Sequence, residues 1–210
     1  MSSPVKALTL GLVAAGAAIA GLVVASLVFE PDAPDRVDMA AGTLLPQPRP
    51  IPEFNLTGAD GQPFTKAAFI DHWTVVFVGF THCPDICPAT LGQLKTVNAA
   101  LRDQNKAMQV LLLSVDPERD NPETLARYVS YFDPEFIAAT GPTDELDRLG
   151  ASMGFVYMKA PGSTAETYTI DHSSALILVN PQGQVAGYFT QPLKVDALLA
   201  DLGKILPDAS

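Results

Sequence analysis

The sequence predicts an α/β domain that follows a single N-terminal transmembrane helix. Two observations predict the domain. Nearly half of the 210 residues are hydrophobic, and from about residue 51 apolar β-branched runs alternate with amphipathic helical patterns. A third observation, a long uncharged run near the N-terminus, predicts the helix. The chain has only two cysteines, which is too few for a scaffold stapled by disulfides.

The N-terminal segment is predicted to cross a membrane. Residues 7–29, ALTLGLVAAGAAIAGLVVASLVF, contain no charged residue. As a helix they would extend roughly 35 Å, against a hydrocarbon core of about 30 Å. Lys6 precedes the run and acidic residues follow it, which predicts a cytoplasmic tail at residues 1–6. A cleaved signal peptide is the alternative, because AAGAAIA offers small residues, but the apolar run continues too far beyond them for an ordinary signal core.

The compartment follows from this anchor. The predicted orientation places the C-terminal domain outside the cytoplasm. The segment before the anchor contains no Arg-rich transit sequence, which favours a bacterial inner membrane with the domain in the periplasm. The net charge of −10 excludes nucleic acid as an expected partner, because phosphate contacts need a basic face.

Residues 30–50 are predicted to be a Pro-rich tether. The segment EPDAPDRVDMAAGTLLPQPRP contains five prolines, which resist helix formation and strand pairing. It is therefore expected to be a fairly extended spacer, with the folded domain at residues 51–210.

The elements of the domain can be assigned in order from turn residues and apolar periodicity. Residues 53–69 are predicted to form a hairpin that turns at Asp60 and Gly61, and residues 74–80 to form a strand covered on both faces. The helix that follows the cysteines carries apolar residues at helical spacing, namely Leu91, Leu94, Val97 and Leu101.

The elements of the second half of the domain are assigned from the same turn residues and apolar periodicity. The patterns predict, in order, a second buried strand at 108–115, a helix opened by Asp120 or Asn121 with Pro122 at its first position, a short helix ended by Gly150 or Gly154, a hairpin around PQGQ and a closing amphipathic helix at 194–206. A hairpin, then βαβα, then ββα is the order of a thioredoxin-like domain, in which the two central strands are parallel.

The stretch VGFTHCPDICPA places Cys83 and Cys87 directly after a central strand and at the start of a helix. Residues i and i+4 at a helix start lie on one face with Cβ atoms about 5–6 Å apart, so the two sulfurs can share a metal ion or, with modest rearrangement, form a disulfide. The N–H groups and positive end of the helix favour thiolate over thiol.

Three interpretations of the cysteines compete: an inert structural pair, a dithiol–disulfide redox pair and a soft-metal site. A structural disulfide across so few residues removes little chain entropy. The redox interpretation is weakened because the spacing is one residue longer than CxxC, and because the residues before the late strand, DHSSALILV, contain no proline.

Those same residues supply His172 at the mouth of the late strand. Two thiolates and one imidazole form a small soft site suited to copper, since thiolate selects Cu(I) and imidazole accepts either Cu(I) or Cu(II). Zinc is the rival, but closed zinc sites usually have four ligands, and only His82 is near enough in sequence to be considered as a fourth.

Three aspartates are candidates for supporting the site or docking a partner. Asp85 lies between the cysteines, where compensation of the helix dipole is the simpler explanation. Asp171 precedes His172 and would face the opposite way in a strand. Asp116, followed by Glu118 and Arg119, ends the second strand at the same sheet edge, and this segment is either a docking surface or a loop held by ion pairs.

Two further features receive weaker interpretations. His82 is expected to be structural or solvent-exposed, and His72 is assigned no role. The loop at residues 159–169, KAPGSTAETYT, is rich in turn residues and leads to His172. We expect this loop to be mobile, so that the histidine joins the cysteines fully only when metal binds.

Three segments closely resemble the SCO/SenC family of membrane-anchored, thioredoxin-like copper chaperones for cytochrome c oxidase: VGFTHCPDICPATLGQL, LLLSVDPERDNPETLARYVSYFDPEFIAATG and DHSSALILVNPQGQVAGYF. The resemblance runs from about residue 52 to the C-terminus. It implies that the copper ligands are Cys83, Cys87 and His172.

The resemblance also implies an activity and partners. The protein is expected to deliver copper to the CuA site of cytochrome c oxidase subunit II, after loading by a copper donor chaperone and reduction by a thiol reductant protein. It is a metallochaperone in this interpretation and not an enzyme, and a Cys83–Cys87 disulfide would block Cu(I) binding. The alternatives are a thiol–disulfide oxidoreductase that reduces the oxidase cysteines and, more remotely, an assembly scaffold.

Overall fold

The computed structural model describes residues 15–21, 38–160 and 168–208. The chain divides into two units, Met1–Arg36 and Val37–Ser210, which are described separately. In the first unit residues 15–21 are helical and exposed. The rest of the predicted span and the predicted tail at residues 1–6 lie outside the described residues. Within the described part, no helix is both long and apolar enough to cross a bilayer, so the membrane anchor stays a prediction.

The described part of the second unit contains ten strands, four α-helices and a short 3-10 helix. The strands are β1 (Gly42–Pro50), β2 (Asn55–Gly58), β3 (Pro63–Thr65), β4 (Thr74–Gly79), β5 (Gln109–Ser114), β6 (Ile137–Thr140), β7 (Tyr157–Lys159), β8 (Ile170–His172), β9 (Leu176–Val179) and β10 (Gln184–Phe189). The helices are α1 (Ile86–Asp103), α2 (Pro122–Phe132), α3 (Thr143–Met153) and α4 (Val195–Ile205), and the 3-10 helix is Lys66–Phe69.

Eight of these strands form one mixed sheet in the order β1-β10-β9-β4-β5-β6-β2-β3. The central strands β4, β5 and β6 are parallel, as predicted for the first two, and the remaining pairings are antiparallel. Strands β7 and β8 form a separate antiparallel hairpin. Every residue of β4 is buried, which agrees with a strand covered on both faces.

Local sequence explains the helix boundaries. Helix α1 buries its apolar stripe completely, since Leu91, Leu94, Val97 and Leu101 have no exposed surface. Helix α2 begins at Pro122, and the side chain of Asn121 caps it by accepting a hydrogen bond from the amide of Thr124. Helix α3 ends at Met153 and is followed by Gly154, whose φ of 78° is the left-handed conformation that a C-terminal glycine provides.

The predicted tether is wrong for Gly42–Pro50, which forms the edge strand β1 paired with β10. The pairing is interrupted between Leu44 and Arg49, and Pro46 lies within this interruption. Proline is tolerated at a sheet edge or a bulge because its missing N–H is not needed there. The buried carboxylate of Asp201 holds the entry to this strand by accepting hydrogen bonds from two backbone amides.

The four-residue strand β6 was not predicted. Its sequence, Ile-Ala-Ala-Thr, is short and has only two β-branched residues, so its pattern does not distinguish a strand from the end of a helix. Pairing with β5 on one side and β2 on the other makes it a strand.

Candidate metal centre

The two cysteines lie where the central sheet passes into its first helix. Strand β4 ends at Gly79, and a turn in which the amide of Cys83 donates to the carbonyl of Phe80 (3.3 Å) follows it. Helix α1 then begins at Ile86, so that Cys87 is its second residue. Cys87 has no exposed surface and Cys83 is 9% exposed, because both sulfurs pack into the end of the core.

His172 approaches the cysteines from outside the main sheet. It is the last residue of β8, and three residues separate it from the start of β9 at Leu176. Its Nε2 atom lies 3.7 Å from the Sγ atom of Cys87. The imidazole ring stands edge-on to the rings of Phe77 and Phe80, with centroids 6.2 and 5.9 Å away, and these contacts define its tilt.

A backbone carbonyl selects the tautomer of this histidine. The Nδ1 atom of His172 is 2.9 Å from the carbonyl oxygen of Ser173. A carbonyl only accepts, so Nδ1 carries the proton and Nε2 presents its lone pair towards the thiols. Such a partner is typical of a histidine that binds a metal.

The three ligand atoms have the spacing of a metal site. The two sulfurs and a nitrogen of His172 all lie within 4.8 Å of one another. Bonds of about 2.0–2.3 Å, such as zinc makes with imidazole and thiolate, place the ligands of a trigonal centre roughly 3.5–4 Å apart. The Cys87–His172 distance of 3.7 Å already meets this requirement. The structure therefore brings together the three side chains that the sequence pointed to.

Electrostatics at the two sulfurs differ. Burial raises the pKa of the Cys87 thiol well above its usual value, and the adjacent thiol of Cys83 raises it further. The prediction that the helix start favours thiolate is therefore wrong for Cys87 without metal, because burial disfavours the charged form. The helix amide of Cys87 instead points at the Sγ atom of Cys83, at 3.4 Å. A metal must displace the Cys87 proton when it binds.

Gly79 provides the space that the Cys87 sulfur occupies. A Cβ atom at this position would lie 3.0 Å from the Sγ atom of Cys87 and 3.1 Å from the ring of Phe77. Either contact is tighter than a side chain normally tolerates. The sequence offered no signal for this role, because a glycine at the end of a strand has many explanations.

Residues 116–120 anchor the segment that carries the cysteines. The carboxylate of Asp120 is fully buried and accepts hydrogen bonds from the amide of Thr81 (2.9 Å), from the hydroxyl of the same threonine and from the hydroxyl of Ser114 (2.6 Å). Thr81 lies two residues before Cys83, so Asp120 fixes the start of the turn that carries the cysteines.

The same residues also anchor the segment that carries His172. Arg119 donates to the carboxylate of Asp116 (2.6 Å) and to the backbone carbonyl of Tyr168 (2.9 Å), and its guanidinium lies 3.6 Å from the centroid of that aromatic ring. The Tyr168 hydroxyl donates to Asp116. Asp116 is 1% exposed, so it does not present a docking surface. This segment is the predicted loop held by ion pairs.

The other candidates are not among the three side chains that converge. Asp85 is the N-terminal flanking residue of α1 but makes no side-chain capping bond, and Asp171 is exposed on β8. His82 is half exposed and lies 3.8 Å from the Asp120 carboxylate, away from the thiol cluster. His72 is exposed. Residues 161–167 of the predicted mobile loop lie outside the described residues.

Comparisons with known proteins identify a family that matches most of this chain. The SCO1/SenC family profile matches residues 44–207. A putative copper-binding protein of Stutzerimonas stutzeri is 37% identical over 171 residues, which are 81% of this chain and 83% of that protein. The mitochondrial SCO2 homolog of Danio rerio is 37% identical over 71% of this chain, which spans 54% of that protein.

Solved structures confirm the thioredoxin-like α/β fold. Apo Sco1 from Thermus thermophilus has a TM-score of 0.70 at 33% identity, covering 79% of this chain and 96% of that one. Arabidopsis thaliana ScoI with copper bound has a TM-score of 0.67 at 30% identity, covering 73% and 98%. With the family profile matching far more than half of its residues, the chain belongs to the SCO1/SenC family.

Proposed function

We propose that this protein binds one copper ion through Cys83, Cys87 and His172 and delivers it to the CuA site of cytochrome c oxidase subunit II. The observation that carries the proposal is the convergence of two sulfurs and one imidazole nitrogen within 4.8 Å, with the histidine lone pair aimed at the thiols. Copper-bound structures of family members at 30% identity support the choice of metal.

The chemistry of the donors suits copper as cargo. Two thiolates select Cu(I), and with a neutral imidazole they leave one net negative charge on a three-coordinate centre. Only part of this centre is enclosed, since Cys83 retains some exposure and His172 is half-buried. A partner can therefore replace the ligands one at a time, and oxidation of the cysteines to a disulfide would block Cu(I) binding.

The proposed function also includes a cellular location and two further partners. A membrane anchor at residues 7–29 would hold the domain on the periplasmic side of a bacterial inner membrane. A copper donor chaperone would load the site, and a thiol reductant protein would keep both cysteines reduced.

A second candidate is reduction of the disulfide of the oxidase copper site. The observation that favours it is the unequal burial of the cysteines, because Cys83 is 9% exposed and its sulfur accepts a hydrogen bond from the amide of Cys87, which has no exposed surface. Cys83 would attack the partner disulfide and Cys87 would resolve the mixed disulfide. Both electrons would then come from this dithiol, which ends as a disulfide.

Copper titration tests the site. The full-length chain, reduced without oxygen, is titrated with Cu(I) against a competing chelator, alongside Cys83→Ser, Cys87→Ser and His172→Ala. We expect one tight copper, lost in either cysteine variant and held at least tenfold more weakly without the imidazole. His82→Ala is the matched control and should bind like the native chain. Weak Cu(I) binding that is the same in the native chain and in His172→Ala would overturn the copper proposal.

The His172→Ala variant also separates the two candidates. A chaperone should lose copper retention and oxidase maturation, whereas a dithiol reductase should keep most of its rate on an oxidised CuA domain. A variant that matures oxidase normally in cells would favour the reductase.

A further inference from the structure

A cleft of about 300 Å³ opens beside the metal ligands. One wall comes from the cysteine segment, with Phe80, Cys83, Asp85 and Ile86, and the other from the histidine segment, with Asp171 and His172. Two of the three ligands line this cleft, and the third, Cys87, has no exposed surface. An incoming ligand that takes the metal must therefore approach from the cleft and meet Cys83 or His172 first.

The cleft carries unbalanced negative charge. Asp85 comes from the segment that bears the cysteines and Asp171 from the segment that bears the histidine. Both are exposed, and neither side chain makes a hydrogen bond or ion pair among the described residues. No lining residue is Lys or Arg. Two unpaired carboxylates at the rim favour a partner that carries Lys or Arg.

Exposed apolar side chains lie on the same two segments, and one of them, Ile86, lines the cleft. Of the five large hydrophobic side chains that are exposed in the described part of the second unit, three belong to the ligand-bearing segments: Ile86 (42% exposed), Val156 (75%) and Met158 (61%). Met158 pairs with Asp171 across the β7–β8 hairpin, and the amide of Ser173 donates to the carbonyl of Val156. Such a concentration of exposed apolar surface is typical of an interaction site.

We propose that this cleft docks the copper-accepting segment of a protein partner, in which basic residues flank a soft sulfur ligand and apolar side chains. Asp85 and Asp171 pair with the basic residues, while Ile86 and Met158 contact the apolar ones. This proposal rests on the proposed function, because it describes how copper leaves the site. A second copy of the chain fits poorly, since it is also acidic and would bring the same carboxylates together.

The exchange itself balances without a redox partner. A thiolate of the accepting segment forms a Cu–S bond as the bond to the Cys83 sulfur breaks. Copper stays Cu(I), and the Cys83 sulfur takes up the proton that the incoming thiol released. Cys87, behind the cleft, is the last ligand to leave.

Charge reversal with a matched control tests the cleft. The copper-loaded full-length chain is compared with Asp85→Lys/Asp171→Lys and with Asp103→Lys/Asp196→Lys. The second pair changes the net charge equally at exposed positions outside the cleft, and Asp103 lies at the opposite end of α1 from Asp85. Copper stoichiometry is measured first, and we expect it to be the same in all three proteins.

Copper release is then followed to two synthetic peptides, each with two cysteines and two leucines. One peptide carries three lysines and the other three glutamates. The native chain should supply the basic peptide at least tenfold faster, and added salt should reduce this preference. The cleft variant should lose the preference and the control should keep it. Equal behaviour of the two variants would overturn the proposal.

Two further measurements separate the remaining outcomes. Transfer to the soluble CuA domain of oxidase subunit II tests the proposed function, and failure of the native chain there would contradict that function while the peptides still test the cleft. Analytical sedimentation tests whether a second copy of the chain occupies the cleft instead. A dimer of the native chain that the cleft variant abolishes would assign the cleft to a second copy and overturn the partner proposal.

Discussion

The cysteine half and the histidine half of the metal centre are built differently. The cysteines lie between a fully buried central strand of an eight-stranded sheet and an 18-residue helix, and Cys87 belongs to the core. His172 ends a hairpin of two three-residue strands outside that sheet and is half-buried. The thiols are thus part of what folds the domain, whereas the imidazole is positioned by two aromatic edge contacts and a few polar ones.

Residues 116–120 connect the two halves. One end of this loop binds Thr81 on the cysteine side through Asp120, and the other binds Tyr168 on the histidine side through Asp116 and Arg119. The difference between the halves predicts that damage on the cysteine side lowers stability and metal affinity together. Damage on the histidine side should lower metal affinity with a smaller loss of stability.

The largest effect is expected from Asp120→Ala. The substitution removes the acceptor of three hydrogen bonds, one from the buried Ser114 hydroxyl and two from the partly buried Thr81, so the free energy of unfolding should fall by about 3 kcal/mol. Urea unfolding of the reduced, metal-free protein measures this, and Cu(I) competition should show weaker binding. Asp120→Asn keeps an acceptor oxygen and should lose less. A loss below about 1 kcal/mol for alanine would show that the cysteine half does not depend on this anchor.

Gly79→Ala should have the next largest effect. Its methyl group would press on the Cys87 sulfur and the Phe77 ring, which predicts a loss of about 1–3 kcal/mol together with weaker copper binding. The matched control is Gly92→Ala in α1, where a Cβ meets nothing within 4 Å. That control should stabilise the helix by up to about 1 kcal/mol. Thermal unfolding compares the two, and equal shifts would contradict the packing argument.

Tyr168→Phe tests the histidine half. It removes the hydroxyl that binds Asp116, so a loss of about 1–2 kcal/mol is expected, with clearly weaker Cu(I) binding. Tyr128→Phe is the control, because the buried Tyr128 hydroxyl has no hydrogen-bond partner among the described residues. Its removal should be neutral or stabilising. If both variants lose the same stability and affinity, the Tyr168–Asp116 contact does not position the histidine.

The smallest effect is an alkaline loss of stability. Burial raises the pKa of Tyr128 and Tyr168 above the usual value of about 10. Unfolded tyrosines ionise first as the pH rises, so the contribution of these tyrosines is complete below about pH 10 and falls above it, by at most roughly 1.4 kcal/mol per pH unit for each group. Cys87, whose pKa is also raised by burial, adds a fall that begins near the usual thiol pKa of about 8.5 and is common to the native chain and both tyrosine variants. Urea unfolding between pH 8 and 11 measures the slope. Each Phe variant should reduce it, and an unchanged slope would contradict the assignment.

Much of the fold follows from local patterns in the sequence. The buried runs of β4 and β5, the apolar stripe of α1 and the cap at Asn121 each depend on neighbouring residues, so the sequence predicts them well. Strands β1 and β6 do not, because their pairing partners are distant in sequence and their own residues carry weak strand signals. Edge position overrides the proline signal in β1.

The site divides in the same way. Cys83, Cys87 and His172 could be found because their residue types and order are distinctive. Their supports could not, since the Thr81–Asp120 and Tyr168–Asp116 bonds join residues 39 and 52 positions apart. The carbonyl of Ser173 and the missing side chain of Gly79 act through backbone and empty space, which residue types do not reveal.

The prolines of β1 have a consequence for behaviour at high concentration. An edge strand with unpaired N–H and C=O groups is a template for pairing with another molecule. Pro46, Pro48 and Pro50 leave this strand with three fewer N–H donors, and at the opposite edge β3 has only three residues. Neither border of the sheet therefore offers a long hydrogen-bonding ladder to a neighbour. The residues that concealed this strand from prediction also protect the domain against intermolecular strand pairing and aggregation.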